Sequence, residues 1–135
     1  MKGIIDQMKV LIAEGSPSVR EGFARLVSNM DGVRLVGKAQ DITEAKILIR
    51  QILPDLAILD VGLSSGSGMD LLRQIKKDVP DCTVFMITDF PHPFYRRRCF
   101  EAGAEFFFDK FSELDALLDE LKAVILRFCS LAHNS

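Results

Sequence analysis

A chain of 135 residues with 48% hydrophobic and 27% charged residues has the length and apolar content of one folded domain, which excludes a disordered or low-complexity segment. A formal net charge of −2 gives no general attraction to nucleic acid or to an anionic membrane, so neither is expected as a direct partner. The cysteines Cys82, Cys99 and Cys129 are odd in number, far apart and without metal-binding spacing, and the start MKGIIDQMK lacks a long apolar run; reduced thiols, a cytoplasmic location, no signal peptide and no membrane span are expected.

Taken from the amino end, apolar runs alternate with amphipathic segments. Met8 to Ala13 is mostly apolar and predicts a first strand, closed by Glu14 and Gly15. Ser16 as N-cap and Pro17 at the first helical position start a helix whose inner face carries Val19, Phe23, Val27 and Met30, and which Gly32 ends. Val33 to Ala39 predicts the second strand. Asp41, with Glu44 three residues on, is the acidic variant of a capping box, and Ala45, Leu48, Ile49 and Ile52 form the stripe of the next helix.

The stretch LAILDVGLSSGSG follows, in which Leu56 to Leu59 run straight into Asp60. Periodicity alone does not separate a strand buried on both faces from a helix here; Pro54 before the run and the Gly/Ser loop after it favour the strand. Leu71, Leu72 and Ile75 face inward from the segment Met69 to Lys77. Thr83 to Thr88 predicts the fourth strand, and a loop with Pro91 and Pro93 leads to a helix from Phe94 to Ala102, stopped by Gly103. Glu105 to Phe108 predicts the fifth strand, with two phenylalanines in the core and Phe107 pointing toward the fourth helix or its surface. Ser112 caps a last helix whose stripe is Leu114, Leu117, Leu118, Leu121, Val124 or Ile125, and Phe128.

This alternation predicts an α/β fold: a doubly wound five-stranded parallel sheet with five helices, in the flavodoxin-like order 2-1-3-4-5. Every strand then ends at one rim, where Glu14, Asp60, Thr88 and Lys110 gather. Each has a bland reading alone, Asp60 as a turn or cap residue, Thr88 as a strand-end hydroxyl, Lys110 as a surface lysine. At matching strand ends they form a set suited to phosphoryl transfer. A carboxylate can attack a phosphoryl group, an ammonium and a hydroxyl can neutralise it, and Glu14 with Asp60 can hold Mg²⁺ through oxygen.

From Lys9 to about Phe128 the chain resembles a response regulator receiver domain of two-component signal transduction. The resemblance rests on VLIAEG followed by PSVREGF, on PDLAILDVGL with Gly68 eight residues after Asp60, on TVFMIT and on EAGAEFFFDK. Receivers are themselves a standard example of the strand order named above. The resemblance implies a single receiver over residues 1–135 with its core at about 9–128. It implies Asp60 as phosphoacceptor, Lys110 as site lysine, Thr88 as switch hydroxyl, Phe107 as switch aromatic, and the Gly62 carbonyl as a metal ligand beside Glu14 and Asp60. It further implies a phosphorylation-dependent signalling switch served by a histidine kinase or phosphotransfer protein. The chain would be no enzyme beyond Mg²⁺-assisted self-phosphorylation and self-dephosphorylation. An output partner or dimer mate would bind the face of the fourth helix, fifth strand and fifth helix.

The departures from the family pattern are specific. Gly15 replaces one of two adjacent acids after the first strand, so Mg²⁺ is expected to bind weakly. Asp89 follows Thr88 where a small residue is usual, and either crowds an incoming phosphoryl group or lends the missing carboxylate. Ser64 and Phe111 stand where prolines are common, so no cis bond is expected after Lys110. Arg96, Arg97 and Arg98 read first as a solvated helix face and second as a surface for an acidic partner. Two rival readings share the fold: a degenerate receiver that works by protein contacts alone, and a flavodoxin-like cofactor-binding protein. For the latter the loop EGSPS has little of the phosphate-cradling pattern.

Overall fold

The computed structural model describes residues 7–63 and 67–134, with side chains as far as Leu131. Ten elements alternate along it: β1 (Met8–Ala13), α1 (Pro17–Ser28), β2 (Val33–Ala39), α2 (Ile42–Ile52), β3 (Leu56–Asp60), α3 (Gly68–Asp78), β4 (Thr83–Thr88), α4 (Pro93–Glu101), β5 (Phe106–Asp109) and α5 (Leu114–Asn134). The strands pair in parallel in the order β2-β1-β3-β4-β5, as the sequence pattern predicts.

Side-chain alternation along each strand splits the core in two. Leu56 and Ile58 of β3 face α1 and α5 together with Phe23, Val27, Leu117 and Leu121, while Ala57 and Leu59 face α2, α3 and α4 together with Ile49, Leu72 and Cys99. All five residues of β3 are buried, which is why its sequence is a continuous apolar run rather than an alternating one. Phe106 and Phe108 stack at 6.1 Å on the α5 side, and Phe107 turns into the core on the α4 side.

The capping chemistry is partly as expected. Ser16 accepts from Val19 N–H at 3.5 Å with Pro17 at the start of α1, and Asp41 Oδ1 accepts from Glu44 N–H at 2.9 Å. Several boundaries differ from the sequence reading. α1 ends at Ser28 with Asn29 as its cap, so Met30 packs from beyond the helix; Gly32, at φ +85°, instead turns the chain into β2. α4 begins at Pro93, because His92 is the N-cap and its Nδ1 accepts from Phe94 N–H at 3.0 Å. Glu105 precedes β5: its carboxylate accepts from Val84 N–H at 2.7 Å and pairs with Lys76 Nζ at 2.8 Å, while Asp109 joins the strand instead. α5 starts at Leu114, and Ser112 is not its cap; Asp109 Oδ1 accepts the Phe111 and Ser112 amides at 2.8 and 2.9 Å. No cis peptide occurs among the described residues, and Ser64 lies outside them. No described helix is long and apolar enough to cross a membrane.

The start of α3 is the tightest approach to the end of β3. Gly68 N–H donates to the Val61 carbonyl at 3.0 Å, and Ser67 Oγ accepts from Met69 N–H at 3.1 Å. A Cβ on Gly68 would overlap the backbone carbonyl of Asp60, which cannot swing aside as a side chain could. Gly68→Ala is therefore expected to destabilise the domain by about 2–3 kcal/mol, read as a lower urea midpoint at constant m. An unchanged midpoint would contradict this packing.

Candidate functional site

Three strands deliver the ionisable groups. Glu14 follows β1 and is 1% exposed; its Oε2 accepts from Ser16 N–H at 2.8 Å. Asp60 closes β3, and its Oδ1 accepts from Gly62 N–H at 3.0 Å in the turn that follows. Lys110 follows β5, with its backbone N–H on the Thr88 carbonyl at 2.8 Å. Its side chain runs back across the sheet end and places Nζ 2.6 Å from Glu14 Oε1 and 3.2 Å from Asp60 Oδ2. Thr88 is buried at the end of β4, one residue beyond the Ile87 that pairs with Asp60, and its Oγ1 accepts from Phe90 N–H at 3.0 Å.

The electrostatics follow from two buried carboxylates around one ammonium. Burial pushes the Glu14 carboxyl above its ordinary value, with Asp60 adding to the rise and Lys110 and the Ser16 amide opposing it. For Lys110, burial pulls downward, but the Glu14 and Asp60 carboxylates outweigh it and raise the pKa. Beyond the Lys110 ammonium at 2.6 Å, Glu14 Oε1 has no polar partner among the described residues. A carboxylate oxygen carries two lone pairs, so this buried one keeps a direction beyond the Lys110 contact.

That oxygen is the observation that suits a divalent cation. The Glu14 and Asp60 carboxylates, both in contact with Lys110, would offer a hard ion oxygen ligands, with Lys110 as its competitor. Gly15 contributes no ligand side chain, and no group of three or more acidic, His or Cys side chains able to hold a metal occurs among the described residues. Asp89 is exposed beyond the end of β4 and belongs to no such group. The residues fit Mg²⁺ as a weak ligand set. Cys82 and Cys99 are buried free thiols that burial pushes up to about 12 and about 11, so neither is a ready nucleophile.

One neighbour escaped the sequence reading. Arg20 Nη1 donates to the Glu14 carbonyl at 2.9 Å and ties the first turn of α1 to the end of β1. The signal was present: a cation in the first turn opposes the helix dipole, and α1 has no acid there. A residue so placed against propensity needs a partner nearby.

A doubly wound parallel sheet with a carboxylate–lysine–carboxylate cluster at its carboxyl rim defines a class of flavodoxin-like α/β domains. Residues 10–122 match the family model of the response regulator receiver domain, and the chain belongs to that family. It is 30% identical over 121 residues to a nitrate/nitrite response regulator protein homologue of Haemophilus influenzae, covering 88% of this chain and 57% of that protein. It is 26% identical over 117 residues to the response regulator GacA of Pseudomonas aeruginosa, covering 87% of this chain and 55% of that protein. The chain thus spans little more than half the length of these curated relatives. Among solved structures it resembles a two-component response regulator of the LuxR family from Aurantimonas sp., with a TM-score of 0.81, 26% identity, and coverage of 90% of this chain and 86% of that one. The chain is accordingly a signalling domain of two-component systems.

Lys110→Met keeps the apolar stem and deletes the charge that separates the two carboxylates. Removing one side of a buried ion pair leaves its partners uncompensated, and a loss of about 3 kcal/mol is expected at neutral pH. The folded-state pKa of Glu14, already above its unfolded value, then rises further, so the native state binds protons more readily than the unfolded one. Stability should therefore recover as pH falls through that raised pKa. Urea unfolding of the variant at neutral and mildly acidic pH checks this; no loss at neutral pH, or a loss that deepens on acidification, contradicts it.

Proposed function

We propose that the domain is a phosphorylation-dependent switch in which Asp60 accepts a phosphoryl group from a histidine kinase or phosphotransfer protein. The buried cluster of Glu14, Asp60 and Lys110 supports this reading most directly. In the step, an Asp60 carboxylate oxygen attacks phosphorus and an O–P bond forms. The donor's P–N bond breaks, its electron pair stays on the donor nitrogen, and the product is an acyl phosphate. Lys110, already 3.2 Å from Asp60 Oδ2, is placed to neutralise the incoming oxygens. Thr88 Oγ1 accepts from Phe90 N–H, which leaves its own proton free to donate to a phosphoryl oxygen. A bound Mg²⁺, held by Glu14, Asp60 and the Gly62 carbonyl, would add charge neutralisation.

The readout would be the face of α4, β5 and α5. A groove of about 310 Å³ there is lined by Arg96 and Phe100 on one side and Asp119 and Glu120 on the other. Positive and negative walls suit an output partner or a dimer mate related by a two-fold axis, in which each wall meets its opposite. Phe107, buried behind this face with the Arg96 guanidinium 5.9 Å from its ring, is the aromatic that would report the state of Thr88. A second reading, a receiver that signals by contacts alone, is favoured by Gly15 and by the ion-paired state of both acids.

Incubation with Mg²⁺ and a small phosphodonor, followed by intact-mass measurement, separates the two. One acid-labile phosphoryl group is expected on the native chain and none on Asp60→Asn, whose stability should equal or exceed the native value because carboxylate repulsion is relieved. Phosphate surviving on Asp60→Asn would identify another acceptor, and none on either protein would select the second reading. Gly15→Asp should lower the Mg²⁺ concentration needed for loading; native loading at equally low Mg²⁺ would show that Gly15 is no defect.

A further inference from the structure

Among the helices, α4 is the least embedded: Cys99 is its one buried residue, while Phe94 and Tyr95 are 51% and 42% exposed. Its three arginines divide between two faces. Arg96 leans toward β5, 5.2 Å from the Phe100 ring centroid. Arg97 and Arg98 turn the other way and, with Arg73 of α3, Phe94 and Glu101, line a groove of about 420 Å³ between α3 and α4. The Arg98 guanidinium lies 5.3 Å from the Phe94 ring centroid, and Phe94 meets Tyr95 edge-on at 5.8 Å. A continuous cation–aromatic ladder is thus left exposed.

We propose that the α3–α4 groove is a docking site for an acidic amphipathic segment of another protein, one carrying carboxylates beside apolar side chains. The site is distinct from the α4–β5–α5 face and does not depend on phosphorylation of Asp60. Charge complementarity is the first argument. Three guanidiniums face the groove against Glu101 and against Asp70, which holds Arg73 at 3.2 Å, on a chain whose net charge is −2. A local excess of cations on an acidic chain selects an anionic partner. The second argument is composition: arginine and aromatic side chains dominate binding hot spots, and a guanidinium already stacked on a ring loses less freedom when a carboxylate arrives.

The same geometry disfavours the other anionic classes. Glu101 in the groove wall repels a phosphate backbone. Three cations beside Glu101 also neutralise few phosphates. A lipid surface calls for a broad convex basic patch, not a groove.

The test uses a fluorescein-labelled synthetic peptide alternating glutamate with leucine and phenylalanine, followed by anisotropy on the full chain. Companion probes are the same peptide with glutamine for glutamate, a labelled oligo-dT and phosphatidylserine vesicles. The glutamate peptide is expected to bind saturably, and at least about tenfold more weakly to the double variant Arg97→Glu, Arg98→Glu or in salt strong enough to shrink the Debye length to a few ångströms. Arg25→Glu, an equal charge reversal at an exposed position of α1 on the opposite side of the sheet, should bind as the native chain does. These side chains are exposed, so circular dichroism should show intact folding; if the double reversal does not fold, the single Arg97→Gln and Arg98→Gln variants make the same comparison. Absence of saturable binding, indifference to the Arg97 and Arg98 changes, an equal effect of Arg25→Glu, or preference for the glutamine peptide, the oligonucleotide or the vesicles would each overturn the proposal.

Discussion

The contact on which the site depends is the Lys110 ammonium between two buried carboxylates. Lys110 leaves the edge strand β5, passes over the end of β4, and meets Asp60 on β3 and Glu14 after β1. Crossing two strand spacings, roughly 10 Å, requires a long unbranched side chain whose stem tolerates burial. The strand order is what makes the reach possible, since β1, β3, β4 and β5 are consecutive neighbours ending at one rim. Without the ammonium, two carboxylates would share a buried site with no counter-charge.

The surroundings of that cluster couple it to the surface. Lys110 is tied by its backbone to Thr88, and Thr88 Oγ1 holds the amide of Phe90 just before α4. α4 in turn is anchored in the core through Cys99 alone, whose Sγ lies 3.1 Å from Met69 Sδ. A helix with so little buried area is cheap to shift. In the proposed mechanism, recruiting the Thr88 hydroxyl to a phosphoryl group would be felt first at Phe90 and α4, and through Phe107 at the α4–β5–α5 face.

What could be read from the sequence follows from how each feature is encoded. β3 and β4 were legible because strands buried on both faces are written as apolar runs, and the rim residues because each follows such a run. The position of Gly15 beside Glu14 was equally plain. Features that depend on partners distant in the chain were not legible. Glu105 looks like a strand residue until Lys76, on α3, is seen holding its carboxylate. Ser112 looks like a cap until its own amide, with that of Phe111, is seen donating to Asp109 in the turn before α5 begins at Leu114. The arginine triplet reads as one patch in sequence, but 100° per residue around a helix sends Arg96 and Arg98 to different faces.

The most direct test of this account is a double-mutant cycle between Lys110 and Glu14, using Lys110→Met, Glu14→Gln and the pair, with unfolding free energies measured in urea at neutral pH. If the ammonium holds the acidic pair together, the double variant should be more stable than the sum of the single losses implies, by a coupling of about 1 kcal/mol or more. Additive losses would mean that Lys110 and Glu14 are neighbours without mutual dependence, and would contradict the central role given to their contact.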